Sequence, residues 1–141
     1  MSVEIKRAYE KPAAADGVRV LVDRLWPRGV SKQAAAITTW LRELAPSNEL
    51  RKWFHAHPAL RSQFRSEYME ELRGAKAVAD LNKLYALVED NPRVTLVYAS
   101  RNERYNNATV LRDLINGARK PPTSSGPAKA AVAPKRARAR R

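Results

Sequence analysis

The 141-residue chain contains no cysteine and only two histidines. The absence of cysteine excludes disulfides, thiolate metal ligands and thiol nucleophiles. His55 and His57 lie one residue apart with no carboxylate nearby, and this falls short of the ligand set of a typical zinc site. We therefore predict neither a metal site nor a cofactor.

Long apolar runs are also missing. No stretch approaches the length of about 18 residues that indicates a membrane-spanning helix. The N-terminus places Glu4 and Lys6 in a short alternating segment, so it lacks the unbroken apolar stretch of a signal peptide. With 44% hydrophobic residues, the chain is long enough for one domain and short for two. These features favour a single-domain, soluble cytoplasmic protein without membrane insertion.

Acidic residues are absent from the C-terminal segment. From Arg119 onward eight residues are basic and none is acidic, so the formal charge of +13 leaves about +5 on the rest of the chain. Residues 119–141 also lack aromatic side chains and cannot bury enough apolar surface to offset the entropy of ordering. We predict that they form a disordered basic arm.

The arm's charge predicts sequence-independent, salt-sensitive binding to DNA or RNA, because its cations would release counterions from phosphates. Such binding would be consistent with association with the nucleoid. A solubility or spacer tail and an anionic membrane surface are the alternatives, but the lack of aromatic side chains favours soluble polyanions. The predicted nucleic-acid-binding residues are Lys129, Lys135, Arg136, Arg138, Arg140 and Arg141.

Two apolar, β-branched runs predict buried strands, over Val18 to about Asp23 and over Val94 to Ala99. The second run is almost continuously apolar, as in a strand covered on both faces of an α/β sheet. Alternation from Ser2 to Tyr9 predicts an edge strand. We expect an α/β domain over residues 1–118, whose small sheet has at least two parallel central strands flanked by four to five helices.

Apolar spacing and capping residues predict five helices. The first is capped by Ser31 and extends through Leu44, the second begins at Ser47 or Asn48, and the third begins at His57-Pro58. The fourth covers roughly 77–89, and the last follows the polar loop 100–107 and ends at 116–117. The predicted core includes Trp40, Trp53 and Phe54.

Four segments together resemble the domain of unknown function 488 (DUF488) family and, within it, the YeaO-like subgroup. They are IKRAY, DRLWPRG, LAPSNELRKWF and VTLVYASRNERYNNATVL. The resemblance covers about residues 3–118 and leaves out the arm. It implies a small α/β domain and no established biochemical activity.

The chain departs from many members of the wider family at two places. Where those members carry a cysteine, this chain has Tyr98, and their Cys-His-Arg sequence is replaced by Asn106, Asn107 and Ala108. Thiol or metal chemistry proposed for those relatives therefore does not carry over to this chain.

A binding site is predicted where the two central strands end, at Asp23 and Ala99. If these strands are parallel neighbours, the polar segments that follow them open at the carboxyl edge of the sheet, where α/β folds bind ligands. Arginines there suit phosphate or carboxylate, because a guanidinium engages two oxygens at once. The predicted anion-binding residues are Arg24, Arg28, Lys32, Ser100, Arg101, Asn102, Asn106 and Asn107. The predicted pocket lining is Trp26, Pro27 and Tyr98.

A structural interpretation of the same residues stays open. Asp23 and Arg24 would then form an internal ion pair, and Trp26 would fill the core. Asn106 and Asn107 would cap the last helix, a position in which asparagine is favoured.

Two functions follow from the predicted pocket. The leading one is an accessory binding protein for a small anion or a phosphorylated ligand. The alternative is a hydrolase- or transferase-type enzyme in the same pocket, with Asp23, His55 and Tyr98 as weak acid–base candidates. Arg24 and Arg28 would then stabilise developing negative charge.

Overall fold

The computed structural model describes residues 2–117. This part of the chain contains four strands and five α-helices. The strands are β1 (Ser2–Arg7), β2 (Val18–Leu21), β3 (Thr39–Trp40) and β4 (Arg93–Tyr98). The helices are α1 (Lys32–Ala35), α2 (Asn48–Ala56), α3 (Arg61–Glu71), α4 (Ala75–Asp90) and α5 (Asn107–Gly117). The predicted basic arm lies outside the described residues.

The sheet is entirely parallel, with strand order β1-β4-β2-β3. β2 and β4 are the central neighbours, paired from Val18 with Val94 to Leu21 with Val97. β1 lies at one edge beside β4. The predicted α/β class, the parallel central pair and the alternating edge strand are confirmed.

The core lies on both faces of the sheet, because successive side chains of a strand point to opposite faces. Leu96 belongs to a large cluster, in which the helices contribute residues such as Phe64, Leu84 and Leu111. Val97, the next residue, belongs to a small cluster with Leu21 and Ala8, against which Trp26, Ile37 and Trp40 pack. β4 is therefore covered on both faces, as its continuous apolar run predicts.

The predicted long first helix is wrong. Ser31 caps it by accepting a hydrogen bond from the N–H of Ala34 at 3.0 Å, but the helix ends after four residues, at Ala35. Ala36 adopts a left-handed conformation, and the chain then forms β3. The edge of β2 explains the difference, since the N–H of Leu41 donates to the carbonyl of Leu21 at 2.9 Å. Pairing with a distant strand outweighs the helical spacing of the apolar residues.

The third helix begins later than predicted, at Arg61. The N–H of His57 donates to the carbonyls of Trp53 and Phe54 and so closes α2, while Leu60 donates back to His57. Pro58 therefore lies in the turn between the helices. The predicted start of α2 is confirmed, because Ser47 accepts from the N–H of Leu50 at 3.1 Å.

Within residues 2–117, no helix has both the length and the apolar character that a membrane crossing requires.

Candidate functional site

A cleft of about 730 Å³ opens at the carboxyl edge of the sheet. Its walls come from segments that follow the strands: Tyr9 after β1, residues 23–28 after β2, Ala45 and Pro46 beyond β3, and residues of 99–107 after β4. One side of α2, the turn after it and Phe64 in the next helix complete the lining. The cleft therefore occupies the position where parallel sheets gather loops and helix starts.

Asp23 holds two of these walls together. Its Oδ2 accepts a hydrogen bond from the N–H of Ala99 at 2.9 Å, and its Oδ1 accepts one from the side-chain amide of Asn107 at 3.1 Å. The same amide donates to the carbonyl of Val22 at 3.0 Å. The end of β2, the end of β4 and the start of α5 are thus joined by one carboxylate and one amide.

Burial raises the pKa of the Asp23 carboxyl above its ordinary value. The N–H of Ala99, the amide of Asn107 and the charge of Arg51 act in the opposite direction without cancelling the effect of burial. Asp23 therefore carries its negative charge at an energetic cost.

The loop after β4 is organised by its own asparagines. Asn102 Oδ1 accepts from the N–H groups of Arg104 and Tyr105, both at 3.1 Å. Asn106 donates its side-chain amide to the carbonyl of Asn102 at 2.8 Å and accepts from the N–H of Thr109 at 3.1 Å. The polar groups of Asn106 and Asn107, predicted to bind a ligand, are thus engaged within the protein, with Asn106 capping α5.

The arginines predicted to bind an anion all line the cleft, namely Arg24, Arg28 and Arg101. Arg24 donates to the carbonyl of Ala45 at 3.1 Å and lies 3.9 Å from Glu43, so the alternative in which it pairs with Asp23 is wrong. Arg28 and Arg101 are exposed, and neither forms an ion pair within the described residues.

Two predicted residues, Lys32 and Tyr98, lie outside the lining of the cleft. Lys32 is exposed at the start of α1 and is not among the residues that line the cleft. Tyr98 is only 2% exposed and is also absent from the lining. Its pKa is raised by burial, with the charge of Glu103 adding to the effect. Trp26 lines the cleft and also packs edge-on against Trp40, with ring centroids 5.6 Å apart.

The cleft contains a fourth arginine that the sequence analysis missed. Arg51 lines it from α2, beside Asn48 and His55. These three residues lie at helical spacings of three and four and therefore share one helix face. That pattern is visible in the sequence, but nothing local indicates that this face borders the carboxyl edge.

An apolar wall was also missed. Phe54 of α2 stacks on Phe64 of α3 with ring centroids 4.1 Å apart, and Tyr105 meets both rings edge-on at 6.0 and 6.2 Å. All three rings line the cleft, together with Pro58. The wall joins α2 and α3 to the loop after β4.

Arg7 supports the cleft from outside its lining. Its Nε donates to the carbonyl of Ser100 at 2.9 Å and its Nη2 to that of Ala99 at 3.2 Å. Tyr9 then donates its hydroxyl to the carbonyl of Arg28 at 3.0 Å. The end of β1 thus fixes both the loop after β4 and the loop after β2.

In the described part of the chain, no group of three or more histidine or carboxylate side chains is arranged to hold a metal ion. No hydrogen bond between described residues joins the three acid–base candidates, Asp23, His55 and Tyr98, to one another.

The chain matches, over residues 2–132, the family described as the "Inactive DUF488-N3 subclade". It is 42% identical over 115 residues to the uncharacterized protein Rv3073c of Mycobacterium tuberculosis, covering 82% of this chain and 94% of that protein. It is 40% identical over 119 residues to the uncharacterized protein YeaO of Escherichia coli, covering 82% of this chain and 97% of that protein. No solved structure matches the chain.

Proposed function

Because the chain belongs to the DUF488 family, within a subclade described as inactive, we propose that it is a binding protein rather than an enzyme. Its cleft holds a small anion or a phosphorylated ligand, and its basic arm contacts nucleic acid without reading the sequence.

The excess of arginine in the cleft is the observation that carries this proposal. Four arginines line it, at positions 24, 28, 51 and 101, and Asp23 is the single carboxylate among the lining residues. Both oxygens of Asp23 already accept hydrogen bonds from the protein. Guanidinium groups bind phosphate or carboxylate oxygens in pairs, so the cleft favours an anion. Its volume lies in the range of small-molecule sites, about 300–1,000 Å³.

The enzyme alternative has less support. Tyr98 lies in the core and Asp23 is engaged in holding the loops, so the acid–base candidates do not form a linked set around the cleft. The description of the subclade as inactive agrees with this arrangement.

The test is calorimetric titration of the full chain with inorganic phosphate and pyrophosphate. We expect Arg28→Ala and Arg101→Ala each to weaken binding about tenfold or more, because a hydrogen bond to a charged group contributes about 1.5–3 kcal/mol. Arg93→Ala removes the same charge at the opposite edge of the sheet and serves as the control. Equal affinities in all three variants would contradict the proposal.

Arg24 needs a separate comparison because it also contacts Ala45 and Glu43. We expect Arg24→Ala to weaken anion binding and to leave the domain folded. If the variant unfolds, and no anion raises the melting temperature of the wild type, Arg24 is a structural residue and the cleft is not an anion site.

The proposal for the arm rests on composition, since residues 119–141 contain eight basic and no acidic side chains. Replacing Lys129, Lys135, Arg136, Arg138, Arg140 and Arg141 with glutamine in the full chain should remove most DNA binding. The slope of log affinity against log salt should fall by up to about five, close to 0.9 per neutralised phosphate contact. Unchanged affinity in this variant would refute the role of the arm, and with it any association with the nucleoid.

A further inference from the structure

The cleft combines its arginines with an apolar wall, and this combination narrows the class of ligand. We propose that the ligand is an organic phosphate that also carries a planar aromatic ring, as a nucleotide does. The inference rests on the proposed function and adds that the ligand carries a planar ring beside its anionic group.

The apolar wall is too extensive for an inorganic anion. Phe54 and Tyr105 are half-buried, Pro58 is exposed, and all three line the cleft together with the buried Phe64. A hydrated phosphate gains nothing from such a surface, because apolar side chains offer it neither charge nor hydrogen bonds. A planar ring gains both burial and aromatic contact there.

Exposed apolar side chains also favour a ligand site at the cleft. Three large hydrophobic residues in the described part of the chain are notably exposed: Leu25 (71%), Tyr9 (47%) and Leu60 (44%). Leu25 and Tyr9 line the cleft, whereas Leu60 does not. Apolar surface left in water around a cationic cleft is typical of a ligand site.

The positive charge of the cleft favours an anionic ring compound over a neutral one. Four arginines line the same cleft as the wall, and the charge of Arg51 favours the ionised carboxyl of Asp23. A neutral ring would leave Arg28 and Arg101, which form no ion pair within the described residues, without an anionic partner. A phosphate in the same molecule as the ring satisfies them while the ring covers the apolar wall, so one molecule accounts for both features of the cleft.

The experiment compares adenosine monophosphate, ribose 5-phosphate, inorganic phosphate and adenosine as calorimetric probes of the full chain. The first two carry the same phosphate monoester, so the basic arm attracts them equally and their difference reports on the ring. We expect adenosine monophosphate to bind at least fivefold more tightly than ribose 5-phosphate, the lower end of the range for stacking of a base on an aromatic side chain.

The outcomes separate the two proposals. Equal affinities for adenosine monophosphate and ribose 5-phosphate would overturn the inference about the ring and leave the anion site standing. Binding of adenosine as tight as that of its monophosphate would overturn the anion site instead. Absence of binding by every probe would overturn both.

Variants of the wall provide a second test. Tyr105→Leu keeps an apolar side chain and removes the ring. Leu25→Ser removes an apolar side chain that is 71% exposed and therefore contributes little to the core. Each should reduce the advantage of adenosine monophosphate over ribose 5-phosphate severalfold without changing ribose 5-phosphate binding. Leu60→Ser is the control, since Leu60 is exposed but does not line the cleft. An unchanged advantage in both wall variants would overturn the inference.

Discussion

The Asp23 carboxylate accepts a hydrogen bond from the Asn107 side-chain amide at 3.1 Å, although 84 residues separate the two in the sequence. Because Asn107 is the first residue of α5 and Asp23 follows β2, this contact ties the start of the helix to the end of a strand of the sheet. The N–H of Ala99 adds the end of β4 to the same carboxylate. The cleft is thus shaped by a contact that a ligand need not touch.

Removing this carboxylate should destabilise the domain. Asp23→Ala leaves the N–H of Ala99 and one hydrogen of the Asn107 amide without their acceptor, which we expect to cost about 1–3 kcal/mol in urea unfolding. Asp113→Ala is the matched control, because Asp113 is exposed and contacts only its neighbour Arg112 among the described residues. Equal stability of the two variants would show that Asp23 does not hold the loops together.

The raised pKa of Asp23 predicts a pH dependence of stability. A carboxyl whose pKa is higher in the folded than in the unfolded state binds protons preferentially in the folded state, so stability falls as pH rises between the two values. Wild type should therefore lose stability relative to Asp23→Asn as pH rises above the ordinary value of 3.8, and the difference should level off above the folded-state pKa. Urea unfolding across this range measures it, and a constant difference would contradict the assignment.

The central strands of the sheet could be predicted because their apolar patterns lie within single segments of the sequence. The continuous apolar run 94–99 indicates a strand covered on both faces, and its parallel pairing with β2 follows from the α/β order of elements. β3 could not be predicted, because Thr39 and Trp40 become a strand only by pairing with Val20 and Leu21. A short edge strand of this kind is decided by a distant partner rather than by its own propensity.

The candidate site was predictable to a similar extent. The predicted arginines follow the ends of strands. In a parallel sheet, chain direction alone places these ends at the carboxyl edge, so the sequence located the cleft at that edge. Arg51 and Phe54 were missed because the packing of α2 brings them to the edge. The sequence also could not distinguish amides that face a ligand from those that hold the backbone, as Asn106 and Asn107 do.

Asp16 should show the opposite pH dependence to Asp23. Burial alone would raise the pKa of its carboxyl, but the N–H of Ala13 and the cations of Lys6 and Arg19 outweigh burial and lower it. The Asp16 carboxylate lies 2.7 Å from Arg19 and 3.1 Å from Lys6. The stability it contributes is therefore present above the ordinary value of 3.8 and is lost as pH falls through the lowered pKa.

The comparison of wild type with Asp16→Asn tests this behaviour. The stability difference should be large at neutral pH and should shrink as pH falls below about 4. Asp16→Ala should cost more, about 3–5 kcal/mol, because it removes the hydrogen-bond acceptor of the buried Arg19 guanidinium as well as the charge. A difference that does not change with pH would show that the ion pairs of Asp16 do not stabilise the folded state.

Two glycines with positive φ offer a matched pair of substitutions. Gly17 has φ +66°, and a Cβ there would lie 2.3 Å from the carbonyl oxygen of Arg93, whereas Gly29 has φ +79° and no heavy atom within 4 Å of such a Cβ. Gly29→Ala should cost about 1–2 kcal/mol from backbone strain alone. Gly17→Ala should add about 1–3 kcal/mol or more, because the turn before β2 must move away from β4. Equal costs in denaturant unfolding would show that the close approach of these two segments is not needed.

The course of α5 takes the end of the described chain away from the cleft. The helix begins at the cleft with Asn107, and near its end Asn116 accepts from the N–H of Val3 at 3.2 Å, beside the start of β1. The described chain therefore ends at the amino edge of the sheet, opposite the cleft.

This geometry predicts that the two proposed sites act independently. The six-fold glutamine variant of the arm should lose DNA binding and keep the wild-type difference in affinity between adenosine monophosphate and ribose 5-phosphate. Arg101→Ala should do the reverse, with phosphate binding weakened about tenfold and the salt dependence of DNA binding unchanged within about one unit of slope. Calorimetry and salt titration on the same three proteins measure both properties. If Arg101→Ala reduces DNA affinity as strongly as the arm variant does, the cleft and the arm bind one continuous nucleic-acid ligand and their independence is refuted.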